Sequence, residues 1–216
     1  MRLAMEPLLR LKRHQVDSAS RVLARAFEHD PVCVAFFPDA SKRVLHNYHL
    51  MRHSIRYNMR YGKVYITSPR LEGVALWQLE ASLKEQEQEQ AQQDKFRRLY
   101  LNWVNFGSWV GLGKGLERVK SLYEHVFSTH AELVPMRHWY CKTIGVDPNF
   151  QGQGFGSRLL TPMLARIDME QLPCYLDTNT EENIGLYERF GFTVVKRYSI
   201  PGSDVINWSM VRETQG

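Results

Sequence analysis

Residues 146–160 read VDPNFQGQGFGSRLL, and this stretch constrains the fold more than any other in the chain. Gly152, Gly154 and Gly156 alternate with other residues shortly after the apolar run HWYCKTIGV and just before a run of helical periodicity. Glycine loses more backbone freedom on folding than any other residue, so three together predict a tight loop or a close approach to a ligand. Between a strand and a helix, such a loop presents N–H groups at the positive end of the helix dipole, which suits phosphate or pyrophosphate. A Walker loop is excluded because no Gly-Lys-Ser/Thr follows. The dinucleotide fingerprint G-x-G-x-x-G also fails. Its third glycine is required where Ser157 stands but comes one residue early, at Gly156, and several other strands precede this unit. The spacing present is Gln-x-x-Gly-x-Gly, at Gln151, Gly154 and Gly156.

Around that loop the chain alternates strand and helix. PLLRLK is a short strand candidate, and Val16, Ala19, Val22, Leu23, Ala26 and Phe27 then recur at helical spacing, a pattern that Pro31 ends. A second helix is predicted over SKRVLHNYHLMRHSIRYNMRY, closed by Gly62, and KVYITS and GVALWQLE form a hairpin across PRLEG. From about 136 to 214 come the strand HWYCKTIGVDP, the helix GFGSRLLTPMLARID, the strand PCYLDTN, the helix EENIGLYERF, and the strands FTVVKRYSI and INWSMVRE around PGSD. Strands alternating with single helices predict an α/β layered fold. Between them, about 81–132, the polar tract SLKEQEQEQAQQDKF and an aromatic, glycine-containing run predict an inserted helical segment, either a lid or helices packed on the sheet. Trp103, Phe106 and Trp109 recur on one helix face there and read as core packing or pocket lining.

A chain of 216 residues supports one domain spanning 1–216, with a core near 136–214. The net charge of +5 suits an anionic ligand, but no dense Lys/Arg block points to nucleic acid. Cys33, Cys141 and Cys174 are odd in number and lack CxxC spacing, which fits a reducing compartment and neither a disulfide framework nor a zinc site. No apolar run approaches the roughly 20 residues of a membrane helix, so a cytoplasmic protein without a membrane partner is expected.

The V-x-P-x-x-Q-G-x-G-x-G pattern at Val146, Pro148, Gln151, Gly152, Gly154 and Gly156 resembles the coenzyme A loop of the GNAT superfamily of N-acetyltransferases. A second signature, N-x-x-x-Y-x-x-x-G-F, stands at Asn183, Tyr187, Gly191 and Phe192. In order and spacing most of the chain is similar to the puromycin N-acetyltransferase-like group, which acts on small molecules. The resemblance implies a mixed, mostly antiparallel central sheet splayed in the middle and flanked by helices. It implies acetyl-CoA as co-substrate and no metal, with a small-molecule amine acceptor and a monomer or homodimer.

Acetyl transfer to an amine requires an anchored thioester, a polarised carbonyl, a deprotonated amine and a protonated leaving thiolate. The resemblance gives anchoring to the loop Gln151, Gly152, Gln153, Gly154, Phe155, Gly156 and Ser157. It gives the pantetheine arm to Ile144, Gly145 and Val146 and to Asn183, and carbonyl polarisation to a backbone N–H of the same strand. Tyr187 is the candidate general acid, since a phenol of ordinary pKa near 10 stays protonated at neutral pH. Asp177 is the candidate general base, at the end of the strand expected to splay from the cofactor strand; as an alternative it is a strand-end turn residue. His138 and the pair His29-Asp30 are weaker candidates, and a water chain would serve instead of any side chain. A protein or peptide acceptor, or a non-catalytic acyl-CoA sensor, are the other readings. Direct transfer is favoured because no cysteine lies in either signature.

Overall fold

The computed structural model describes residues 8–82 and 125–214. Most of the segment expected as an insertion, with Trp103, Phe106 and Trp109, lies outside the described residues.

Seven strands form one sheet in the order β1-β2-β3-β4-β5-β7-β6. They are β1 (Leu9–Arg10), β2 (Lys63–Ile66), β3 (Gly73–Glu80), β4 (His138–Val146), β5 (Cys174–Thr178), β6 (Thr193–Ser199) and β7 (Ile206–Arg212). The helices are α1 (Val16–Ala26), α2 (Pro31–Phe36), α3 (Ala40–Tyr61), α4 (residues 125–133), α5 (Phe155–Glu170) and α6 (Ile184–Glu188). Every neighbouring pair is antiparallel except β4 and β5. Those two are parallel because α5 carries the chain back across the sheet.

Two cores sit on opposite faces, as the period-2 alternation of strand side chains requires. On one face Ala75, Trp77, Trp139, Cys141, Cys174, Leu176 and Met210 pack against Leu159, Leu160, Met163 and Ile167 of α5 and against Tyr187 and Phe192. On the other, Val64, Ile66, Val74 and Leu76 receive Val16, Ala19, Val22 and Leu23 of α1 and Met51 and Ile55 of α3. Further along that second face, Tyr140, Tyr175 and Val211 pack with Val134, just after α4. Buried aliphatic side chains of this kind contribute about 1.5–3 kcal/mol each.

Two local features differ from the sequence reading. Pro31 opens a helix instead of only closing one. Asp30 is its N-cap, accepting from the amides of Val32 (2.9 Å) and Cys33 (3.3 Å), and proline at the first helical position loses no needed donor. This gives Asp30 a structural role. The segment EENIGLYERF is a 3₁₀ turn, Glu181–Asn183, followed by the short α6. Thr180 makes no side-chain cap there; its amide instead donates to Thr178 Oγ1 at 3.3 Å. Gly191, at φ 84°, turns the chain out of α6 as its position predicts.

Candidate active site

The parallel pairing of β4 with β5 covers only Trp139 with Cys174 and Tyr140 with Tyr175. Beyond Tyr140, β4 keeps its partners on β3 as far as Val146, while β5 continues with β7 as far as Thr178. The sheet is therefore split between these strands from Cys141 onward. At the split β4 carries a bulge: Trp77 faces Cys141 and Leu76 faces Thr143, so Lys142 is the extra residue. Ile144, Gly145 and Val146 lie on the diverging part of β4, and α1 packs closely on them. A Cβ at Gly145 would come 2.8 Å from Leu23 Cδ2 and 3.1 Å from Ala26 Cβ.

The glycine loop follows at the end of this strand. Asp147 caps a 3₁₀ turn over Pro148–Phe150, accepting from the Asn149 amide at 3.1 Å, and also pairs with Arg25 of α1. Hydrogen bonds from Arg25 and Asn149 hold its carboxyl below the usual range against the opposing effect of burial. Gln151 Nε2 donates to the Val146 carbonyl at 3.1 Å and Gln153 Nε2 to the Asn149 carbonyl at 3.3 Å. Gly152 (φ 73°) and Gly154 (φ 80°) are left-handed, a conformation side chains resist, and Gly154 is the N-cap of α5. A Cβ added at Gly152, Gly154 or Gly156 would meet nothing within 4 Å. Phe155, Gly156 and Ser157 form the first turn of α5, whose amides have no partner within the helix. An open, donor-rich loop at a helix N-terminus fits a pyrophosphate such as that of coenzyme A.

Tyr187 lies on the α5 face of the split. Its ring is buried beside Cys141 and meets Phe192 edge-on with centroids 6.1 Å apart. Burial pushes its phenol above its ordinary range, so the hydroxyl stays protonated at neutral pH. Asn183 Nδ2 donates to Thr178 Oγ1 at 3.4 Å, which ties the start of α6 to the end of β5. Burial raises the thiols of Cys33, Cys141 and Cys174, which leaves them poor nucleophiles.

Asp177 lies on the opposite face and is the hub of a polar network. Its Oδ1 accepts from Tyr175 Oη (2.7 Å), Asn207 Nδ2 (2.9 Å) and Ser209 Oγ (3.0 Å). Its Oδ2 accepts from Tyr140 Oη at 3.1 Å. Burial raises the carboxyl above the ordinary range, and the four donors offset part of that rise. Oδ2 accepts one bond where Oδ1 accepts three, which makes Oδ2 the less crowded oxygen toward a further N–H.

The four donors to Asp177, from Tyr140, Tyr175, Asn207 and Ser209, are residues the sequence reading did not single out. Tyr140 and Lys142 lie on this face, as does His138, which the sequence offered as a base. Lys142 Nζ is 3.4 Å from Gln78 Oε1 and lies over the rings of Tyr57 and Phe127. Burial lowers its ammonium to about 8 despite the opposing charge of Glu80. His138 shares an Nε2···Nε2 contact of 2.6 Å with His130 of α4. The signal available was the polar alternation His138, Tyr140, Lys142 against Trp139 and Cys141 along one strand. Phe36 and Phe37, at the end of α2, pack against Ile200 and Val205.

Among the described residues no group of three or more His, Cys, Asp or Glu is placed to hold a metal ion, and no helix is long and apolar enough to cross a membrane.

A glycine loop capping the helix that follows a splayed strand defines the α/β GNAT acetyltransferase fold, a mixed seven-stranded sheet flanked by helices. Comparison with known proteins agrees. Residues 117–194 match the family profile of the acetyltransferase (GNAT) domain. An uncharacterized N-acetyltransferase of Schizosaccharomyces pombe is 39% identical over 54 residues, which are 25% of this chain and 22% of that protein. The matched part thus spans about a fifth of that relative. Among solved structures, a histone acetyltransferase and related acetyltransferase from Corynebacterium glutamicum superposes with a TM-score of 0.63 at 19% identity, covering 97% of this chain and 96% of that one. A mosquito arylalkylamine N-acetyltransferase-like protein gives 0.63 at 13% identity, covering 95% and 98%. A polyamine N-acetyltransferase of Drosophila melanogaster gives 0.61 at 14%, covering 96% and 99%.

Proposed function

We propose that the chain is an acetyl-CoA-dependent N-acetyltransferase that transfers acetyl directly to a primary amine of a small molecule. The observation that carries this reading is the splay of β4 from β5 immediately before a glycine loop of open amides. The loop 151–157 would hold the pyrophosphate, while Ile144, Gly145, Val146 and Asn183 would line the arm. A backbone N–H near the Lys142 bulge would polarise the thioester carbonyl; one such donor is worth roughly 3–4 kcal/mol in a water-excluded site.

The two faces of the split then divide the proton chemistry. Asp177 Oδ2 takes a proton from the acceptor ammonium on its face, and the amine attacks the thioester carbon. As the C–S bond breaks, Tyr187 donates its hydroxyl proton to sulfur and recovers one from the nitrogen that has been acylated. The buried, poorly ionised cysteines support direct transfer without an acyl-enzyme. The small-molecule acceptor follows from the likeness to the puromycin-type group and accords with the amine acetyltransferases among proteins of the same fold. The expected setting is the cytoplasm.

The test is calorimetric titration of acetyl-CoA into wild type and Gly154→Trp, followed by thiol release with a panel of amines. Binding lost in the variant, with thiol release on a small amine, supports the reading. Wild type that does not bind acetyl-CoA ends it.

A further inference from the structure

We infer that His130 is a positioning residue for the acceptor-side carboxylate, fixing through its ring the two phenols that hold Asp177. This rests on the proposed role of Asp177. The His130 ring stacks on Tyr175 of β5 with centroids 4.1 Å apart and planes 13° from parallel, and it meets Tyr140 of β4 at 4.7 Å. Both hydroxyls end on Asp177, one on each oxygen. A phenol can keep that bond only while its ring keeps its angle, and the His130 ring touches both rings.

The orientation of His130 is itself fixed. His138 Nδ1 lies 2.7 Å from the Met136 carbonyl, which only accepts, so Nδ1 carries the hydrogen. In the neutral ring Nε2 is then bare and accepts from His130 Nε2–H at 2.6 Å. One proton bridges the two rings, and a second has no place between them. The surroundings keep the pair neutral: burial, His138 and the Lys142 ammonium lower His130 to about 3, and burial lowers His138. His130 belongs to α4, so this contact also anchors the end of that helix on the junction of β4 and β5.

The test follows Asp177 directly. Carbon-13 carboxyl NMR of aspartate-labelled protein, with Asp177→Asn assigning the signal, reads its titration midpoint in wild type, His130→Ala and His130→Phe. Loss of the stack frees the tyrosines, and a carboxylate that loses donors titrates higher. The midpoint should rise by about half a pH unit or more in His130→Ala and return in His130→Phe, which keeps a flat ring. If His130→Ala does not fold, His130→Leu removes the planar face at similar volume and the same rise is expected. An unmoved midpoint, or no recovery with His130→Phe, overturns the positioning role. The functional reading is judged separately, by thiol release with 2-phenylethylamine as probe amine. If Asp177→Asn releases thiol as fast as wild type, Asp177 is not the base, while the titration still decides what His130 does.

Discussion

Tyr140 and Tyr175 are the last residues of β4 and β5 to pair, and both of their hydroxyls converge on Asp177. The point at which the sheet opens is therefore also the point at which a buried carboxylate is held. Strand pairing ends because the two strands turn to different neighbours, β3 and β7, and on one face the hydroxyls of Tyr140 and Tyr175 meet at Asp177.

That arrangement fixes the expected behaviour of Asp177→Asn. The general base must be ionised, and burial raises this carboxyl above the ordinary aspartate range. The wild-type rate should climb with pH through a midpoint above that range and then level off. Asp177→Asn should lower kcat by about 10²–10⁴ and abolish this limb, with acetyl-CoA affinity retained. A pH–rate profile with calorimetry checks it; an unchanged limb in the variant would remove Asp177 from the proton path.

Tyr187→Phe tests the opposite face. The phenol ring fills a core position against Phe192, so phenylalanine keeps the packing and removes only the proton donor. The expected result is a kcat lower by roughly 10²-fold at unchanged acetyl-CoA affinity and melting temperature. Equal turnover with donors whose thiol leaves readily would confirm that protonation of sulfur is what was lost.

Gly145→Val tests the packing behind the cofactor strand. Its Cβ would lie 2.8 Å from Leu23 Cδ2 and 3.1 Å from both Ala26 Cβ and Phe27 Cε2, so α1 must shift. Overpacking of this kind costs about 1–3 kcal/mol. For a chain of this size that lowers the melting temperature by roughly 2–12 °C. Calorimetric melting measures it, and acetyl-CoA binding should weaken as β4 moves.

What the sequence disclosed and what it hid divide along a physical line. The glycine loop, the strands around it and the left-handed Gly191 were legible because each is a local backbone demand written in residue type. Asp177 was nominated by its place at a strand end, but its environment was not legible. Its four donors come from three strands that meet only once the sheet is assembled. His130 was invisible for the same reason: it matters through Tyr175, a residue distant in sequence, and nothing around it forms a motif. Asp30 was misread because a proline after a helical run ends one helix and begins the next with equal ease.

The histidine pair gives acid stability a predictable sign. His130 is held at about 3 in the folded chain against about 6.5 unfolded, and His138 is lowered too. Between those values the unfolded chain binds protons that the folded chain refuses, so this contribution to stability is full above the unfolded pKa and declines as pH falls through the window. Asp177 and Glu80, both raised by burial, act with the opposite sign, so wild type alone does not isolate the histidines. The difference between wild type and His130→Phe does. At pH 7.5 the variant should melt lower, because His138 Nε2 loses its donor at a cost of about 1–3 kcal/mol. On acidification toward pH 5 the wild-type melting temperature should fall faster, and the two curves should converge. Parallel curves would mean that His130 is charged in the folded protein.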